Sequence, residues 1–366
     1  MTQTATIKFE KYQAAQESDL QARILAAKAK LGSRLVILGH HYQQEGVYRH
    51  ADFTGDSLKL SRAAAASDAE YIVFLGVHFM AEVADILSRP DQTAILPDMA
   101  AGCSMADMAN LAKVERCRRE LSEHYDFDAT FTPVTYINSA ADLKAFCGEH
   151  GGVVCTSSNA ASIAEWAFSR REKILFFPDQ HLGRWTGHKM GIPLEQMVVW
   201  DPDLPLGGLT RQQIDDARIL LWKGHCSVHQ MFRGQDIHKF RSEHPDGRVI
   251  AHPECNFEVC SLADDVGSTE HILKTVSAAP AGTHWLVGTE LNLVNRLAER
   301  MKPEGKKVQF MSSIVCECST MARIDPQHLA WTLENLVEGN VVNRVHVSPQ
   351  ETELARLALD RMLENC

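Results

Sequence analysis

No run of about 18 apolar residues occurs in this 366-residue chain, which excludes a membrane-spanning helix. The opening stretch, MTQTATIKFEKYQAAQ, carries acidic side chains and no apolar core, so it does not read as a secretory leader. A cytoplasmic protein is expected. Basic residues are in the minority, 37 Lys and Arg against 47 Asp and Glu, for a net charge of −10 with neutral histidine. That balance argues against a nucleic-acid surface. Also missing are a GxGxxG after a strand, a P-loop and a GxSxG elbow, which leaves dinucleotide, nucleotide and serine-hydrolase readings without support. No CxxC pair and no closely spaced cysteine triplet occurs, so local zinc and ferredoxin-type runs are excluded too.

What is present is ordinary in bulk. Apolar residues make up 45% and charged residues 23%, the balance of a soluble globular protein. The length calls for two or three domains. Ten cysteines exceed what packing requires. In a reducing compartment they point to metal binding or catalysis and away from a disulfide framework. Cys117 and Cys147 lie in charged, helical segments and read as incidental, and Cys366 as an inert terminal residue.

Leu20, Ile24, Leu25 and Leu31 recur at helical spacing and predict a helix over 10–32. Short apolar strands follow at 34–39, 71–76 and 93–96, then at 131–136, 151–155, 173–177 and 220–222, then at 248–251, 285–288 and 308–311. Helical patterns separate them, from Ser57 through Ala66, around 80–87, from Pro326 and from Glu351. An insertion with Trp185, His188 and Trp200 precedes Leu220. Continuous apolar strands alternating with helices are the signature of parallel sheets covered on both faces. The fold class is α/β. The plan repeats with a period near a third of the chain, giving three units, 1–120, 121–245 and 246–366, the last including the C-terminal helices. Order alone suggests a pseudo-threefold arrangement.

Each third ends in a Cys-Ser step: Cys103-Ser104, Cys226-Ser227 and Cys318-Ser319. Ser104 with Asp107 and Ser227 with Gln230 resemble capping boxes, whereas Ala322 leaves the third incomplete. A helix starting at the cysteine would stabilise its thiolate. The matched positions suggest three thiolates converging on one metal centre. Three thiolates on a four-iron cluster would leave one iron open to act as a Lewis acid. Cys316 competes with Cys318 for the third place, and spacing does not separate them.

Polar groups replace aliphatic ones at the strand ends, where α/β folds bind ligands. His40, His41 and Tyr42 follow the first strand, and His252-Pro-Glu254 follows a later one. Such groups bind carboxylates or move protons near neutral pH. Ser57, Ser157 and Ser268-Thr269 stand at expected helix starts, where capping is their default role and anion binding the alternative.

Together these stretches resemble the quinolinate synthase family. The likeness rests on Gly39-His-His-Tyr-Gln43, Asp52-Phe-Thr-Gly-Asp-Ser57, Pro97-Asp-Met-Ala-Ala-Gly-Cys103, Tyr136-Ile-Asn138 and Cys155-Thr-Ser-Ser-Asn-Ala160. It continues through Gly224-His-Cys226, His252-Pro-Glu254 and Cys318-Ser-Thr-Met-Ala-Arg323, in the family's order and over nearly the whole chain. It implies three similar three-layer α/β/α domains with short parallel sheets around one central [4Fe-4S] cluster per chain. Cys103, Cys226 and Cys318 would be the cluster's ligands, and Cys318 is taken over Cys316 because Met321 follows it. Some members carry CxxCxxC here, where this chain has Cys316-Glu-Cys318. The resemblance further implies a pocket of His40, Ser57, Tyr136, Asn138, Ser157, His252, Glu254 and Thr269, with Tyr42, His40, Glu254 and His252 as the catalytic group. The implied reaction condenses iminoaspartate with dihydroxyacetone phosphate to quinolinate, losing phosphate and two waters, with functional coupling to L-aspartate oxidase. A hydro-lyase of different substrate and a non-catalytic iron–sulfur sensor or carrier are the competing classes.

Overall fold

The computed structural model describes residues 5–314 and 317–365. Cys316, the competitor for the third thiolate, and Cys366 lie outside them. Among the described residues, thirteen strands form three separate sheets, in which every strand pairing is parallel. The first holds β1 (Leu35–His40), β2 (Phe53–Gly55), β3 (Tyr71–Leu75) and β4 (Thr93–Ile95), in the order β2-β1-β3-β4. The second holds β5 (Phe131–Tyr136), β6 (Val153–Cys155), β7 (Lys173–Phe177), β8 (Met197–Trp200) and β9 (Ile219–Trp222), in the order β6-β5-β7-β9-β8. The third holds β10 (Arg248–Ala251), β11 (Asp265–Val266), β12 (His284–Gly288) and β13 (Lys307–Phe310), in the order β11-β10-β12-β13.

The three orders are one plan. The second strand lies outside the first, the third returns to the first strand's other side, and the closing strand follows; β8 is an addition at one edge. In such a sheet the chain reverses direction between the first and third strands, and that crevice, at the carboxyl ends, is where α/β folds hold ligands. The repetition expected from strand order is therefore a repetition of topology. Strands flanked on both faces carry unbroken burial: all six residues of β1, all five of β3 and all six of β5 are buried. β2, β8 and β11, absent from the strands expected above, are edge strands.

By compactness the chain divides into two units, Met1–Cys103 with Glu317–Val347, and Ser104–Cys316 with Ser348–Cys366. The first unit holds the first sheet. Its helix Pro326–Val337 packs on Glu17–Leu31, where Arg23 grips Glu334 through Nε–Oε1 at 2.8 Å and Nη2–Oε2 at 2.7 Å. The second unit holds the other two sheets. Its helix Pro349–Glu364 packs on Ala141–Glu149, and a Cβ on Gly148 would lie 1.8 Å from the Leu354 carbonyl oxygen, so only glycine permits this approach. Arg361 Nη1 adds a 2.6 Å bond to the Gly152 carbonyl.

The three sheets thus fall within 1–120, 121–245 and 246–366, but the helices do not follow those divisions. Both C-terminal helices, expected with the third sheet, are held by long-range partners elsewhere. Likewise Leu111–Ser122 joins the second unit, where Glu120 accepts from the Leu206 backbone at 2.7 Å. Among the described residues, no helix is long and apolar enough to cross a membrane.

Candidate active site

In the second unit, polar side chains from the ends of several strands meet around one carboxylate. Tyr136 closes β5, and its Oη donates to Glu254 Oε1 at 2.7 Å. Glu254 stands three residues beyond β10, after His252 and Pro253, and its own N–H donates to His252 Nδ1 at 3.3 Å. That bond assigns the His252 proton to Nε2. His229, fully buried, sits on the turn after Cys226 with Nδ1 3.0 Å from Glu254 Oε2 and Nε2 3.4 Å from Thr289 Oγ1. Gln230, next along, donates to the Glu254 carbonyl at 3.2 Å.

This surrounding sets the charges. Burial alone would raise the Glu254 carboxyl, but His229 and His252 beside it, with the hydrogen bond from Tyr136, bring it down to about 2. Burial lowers His252 to about 3, against the opposing pull of Glu254, so the imidazole is neutral at physiological pH. Asp179 follows β7 and caps the helix Gln180–Lys189 by accepting from the His181 and Leu182 N–H groups at 3.0 and 3.2 Å. Burial, then repulsion from Glu254, pushes its carboxyl well up. Burial lowers His181 to about 4. The turn carrying Cys226 passes so close to the β7 end that a Cβ on Gly224 would lie 2.0 Å from the Pro178 carbonyl. One ligand atom each of Cys226, His229 and Glu254 can be chosen with all three within 4.8 Å of one another.

Several expected pocket groups in this unit are poised but unsatisfied. Asn138 Oδ1 and Thr269 Oγ1 are buried without a hydrogen-bond partner, as is His181 Nδ1. Buried polar atoms are paired in the great majority of cases, so orphans at strand ends point to a ligand. Thr269 opens the ten-residue helix Thr269–Ala278, and Ser268 caps it by accepting from the His271 N–H at 3.3 Å.

In the first unit, His40 ends β1 and is buried with His41. Its Nδ1 accepts from the Tyr42 N–H at 3.1 Å, and the two rings meet edge to face at 4.8 Å. Ser57 is the first residue of its helix, and Asp56, not Ser57, supplies the cap to Lys59 N. Ser157 likewise lies in a turn, two residues before the N-cap Asn159. Ser57, Ser157 and Ser268 each stand two residues past the second strand of their sheet, which ends at Gly55, Cys155 and Val266. The default capping role therefore fits Ser268 alone.

The three Cys-Ser steps share a local form, though not the expected one. No α-helix begins at Ser104, Ser227 or Ser319. Instead a single 3-10 turn starts three residues beyond each cysteine, at Ala106–Met108, His229–Met231 and Met321–Arg323. Such turns have little dipole to lend a thiolate. Exposure separates these cysteines from the other described ones. Cys103, Cys226 and Cys318 are partly accessible, whereas Cys117, Cys147, Cys155, Cys255 and Cys260 are buried. Burial pushes the thiols of Cys117, Cys147, Cys255 and Cys260 up, away from the thiolate a metal needs.

The second unit thus brings together Tyr136, His252, Glu254 and the Cys226 turn. His229 and Asp179, neither of them an expected site residue, join them. Their signals were present: His229 follows Cys226 by three residues, and Asp179 stands at a strand end like the others.

A neutral histidine, an ionised buried carboxylate and orphaned polar atoms at the carboxyl ends of parallel strands define an α/β enzyme with a polar, small-molecule site. A family model described as Quinolinate synthetase A protein matches residues 22–364. Quinolinate synthase of Herpetosiphon aurantiacus is 58% identical over 348 residues, covering 94% of this chain and 92% of the relative. Those of Acidobacterium capsulatum and Corynebacterium glutamicum are 55% and 54% identical, covering 95% and 97% of this chain and 93% and 89% of the relatives. The chain belongs to the quinolinate synthetase A family.

Proposed function

We propose that this enzyme is a quinolinate synthase of NAD biosynthesis, condensing iminoaspartate with dihydroxyacetone phosphate to quinolinate, phosphate and two waters. The observation that carries the reading beyond the family likeness is the Tyr136–Glu254–His229 constellation beside Cys226. It offers an ionised acceptor with a tyrosine and a histidine in line to hand protons to and from it. Glu254, held near 2, is a hydrogen-bond acceptor in the resting site and orients a substrate hydroxyl. Neutral His252 presents its Nε2–H to a substrate carboxylate. Asn138 and Thr269 supply further polar contacts, the latter at a helix start suited to an anion. His40, Tyr42, Ser57 and Ser157 complete the proposed pocket, with Tyr42 as an acid–base group.

Cys103, Cys226 and Cys318 are the proposed ligands of one [4Fe-4S] cluster, and the donor set fits, because these thiols are accessible while the other described cysteines are buried. When bound with three thiolates, the cluster supplies an open iron as Lewis acid. Iminoaspartate hydrolyses in water, so exclusion of solvent and coupling to the L-aspartate oxidase that forms it belong to the same reading.

Anaerobic purification and reconstitution, followed by iron, sulfide and quinolinate assays, test it. Four irons per chain and quinolinate formed from the two substrates are expected. A loaded protein that dehydrates some other hydroxy acid and makes no quinolinate would overturn the substrate assignment in favour of a different hydro-lyase.

A further inference from the structure

Within the first unit, two loops carry proposed cluster ligands, and one ion pair ties them together. Asp98 stands five residues before Cys103, and Arg323 five residues after Cys318. Arg323 Nε lies 2.8 Å from Asp98 Oδ2, a contact held by charge, since that oxygen receives no directional hydrogen bond. His328 Nε2 faces the same oxygen at 3.9 Å.

Each side of this pair is itself braced by hydrogen bonds. Asp98 winds the Cys103 loop: its Oδ1 accepts from the Ala100 N–H at 2.9 Å and its carbonyl from the Ala101 N–H at 3.0 Å. Asn343 Nδ2 holds the root of that loop through the Pro97 carbonyl at 2.7 Å. The Cys318 turn is closed by the Ala322 N–H on the Cys318 carbonyl at 3.0 Å. Two glutamines of the His40–Gln44 segment then grip its backbone. Gln43 Nε2 donates to the Met321 carbonyl at 3.2 Å, and Gln44 Nε2 to those of Ala322 and Ile324 at 3.1 and 3.0 Å.

We propose that the Asp98–Arg323 pair is a latch that sets the Cys103 and Cys318 thiols in register before iron arrives, making both residues positioning residues for cluster retention. The inference rests on the reading of those two cysteines as ligands. The Arg323 side chain is 47% exposed. A pair so open to solvent contributes little to folding. Its consequence lies in the relation between two otherwise separately braced loops. Removing groups that orient metal ligands typically changes metal affinity by about 10- to 100-fold, and this pair orients the loops that carry them.

The test uses the full chain, reconstituted anaerobically, and follows iron release to a bathophenanthroline chelator alongside the melting temperature of the cluster-free protein. Arg323→Gln and Asp98→Asn should each release iron about 10- to 100-fold faster than the parent, with the cluster-free melting temperature unchanged. Arg323→Lys should restore part of the retention. The double variant should be no faster than the faster single, because one latch is broken once. Wild-type release from Arg323→Gln, or a double variant whose effects multiply, overturns the latch. Cys103→Ser and Cys318→Ser serve as the separate control. If either keeps four irons, the ligand assignment fails, independently of how Arg323→Gln behaves.

Discussion

Replacing Glu254 by glutamine removes one charge and almost no volume. Tyr136 Oη can still donate to the retained amide oxygen across the present 2.7 Å. On the other oxygen's side, the new NH₂ can donate to His229 Nδ1 once the histidine proton moves to Nε2, where Thr289 Oγ1 already waits at 3.4 Å. The scaffold therefore tolerates the change, and none of the proposed cysteine ligands is touched. What disappears is the acceptor held near 2. General acid–base catalysis is worth about 10²–10⁴ in rate. At about 1.36 kcal/mol per decade that is roughly 2.7–5.4 kcal/mol of transition-state stabilisation. Steady-state assays of the reconstituted variant should show kcat down by about that factor, KM within a few-fold, and four irons still bound. If turnover survives and iron is lost, Glu254 braces the Cys226 turn, and the proton chemistry passes to Tyr42 or His40.

Serine at Cys103, Cys226 or Cys318 should abolish the brown cluster chromophore and the activity, because hydroxyl is a poor soft-metal ligand, while Cys255→Ser should retain both. Absorbance and iron content decide, and a four-iron Cys318→Ser protein would move the third ligand to Cys316. Gly148→Ala forces a methyl group onto the Leu354 carbonyl and should lower stability by about 1–3 kcal/mol or more, read by thermal or urea unfolding. The hydrogen bond and charge of Arg23, with the Tyr12 hydroxyl, hold Glu334 below its ordinary value of 4.5 although burial opposes them. A depressed folded-state pKa stabilises above the unfolded value and is lost as the group protonates. The parent should therefore lose melting temperature as pH falls below 4.5, and Glu334→Gln should lower it at pH 7 and flatten that acid dependence.

How much of this was legible beforehand depends on distance along the chain. β1, β3, β5 and β7 are buried on both faces, so each is a continuous apolar run that announces itself. β2 and β11 have three and two residues at sheet edges, and Thr54 and Asp265 break their apolar character. Their existence becomes visible only in the pairings Gly39 to Thr54 and Ile250 to Asp265. Strand-end polarity exposed His40, Tyr136 and His252 one at a time. That Tyr136 Oη reaches Glu254 depends on two sheets packing together, which no local pattern encodes. The same is true of the C-terminal helices, whose amphipathic faces are readable but whose addresses are fixed by Glu334 on Arg23 and by the bare Cα of Gly148.

The division of the chain into two interleaved units has a consequence for its birth on the ribosome. The first unit is complete only when the segment from Glu317 to Val347 joins Met1–Cys103, and the intervening stretch belongs to the second unit. At about 5–20 residues per second, roughly 10–40 seconds separate synthesis of the Cys103 loop from that of its Cys318 counterpart. Throughout that interval the apolar face of Glu17–Leu31, destined for Pro326–Val337, has no partner helix. Chains stalled before residue 317 should accordingly be cleaved by protease in their first hundred residues, and chains stalled after the second segment has emerged should resist. Iron delivered early would find the proposed ligand thiols without fixed neighbours, so insertion of the proposed cluster belongs at the end of synthesis.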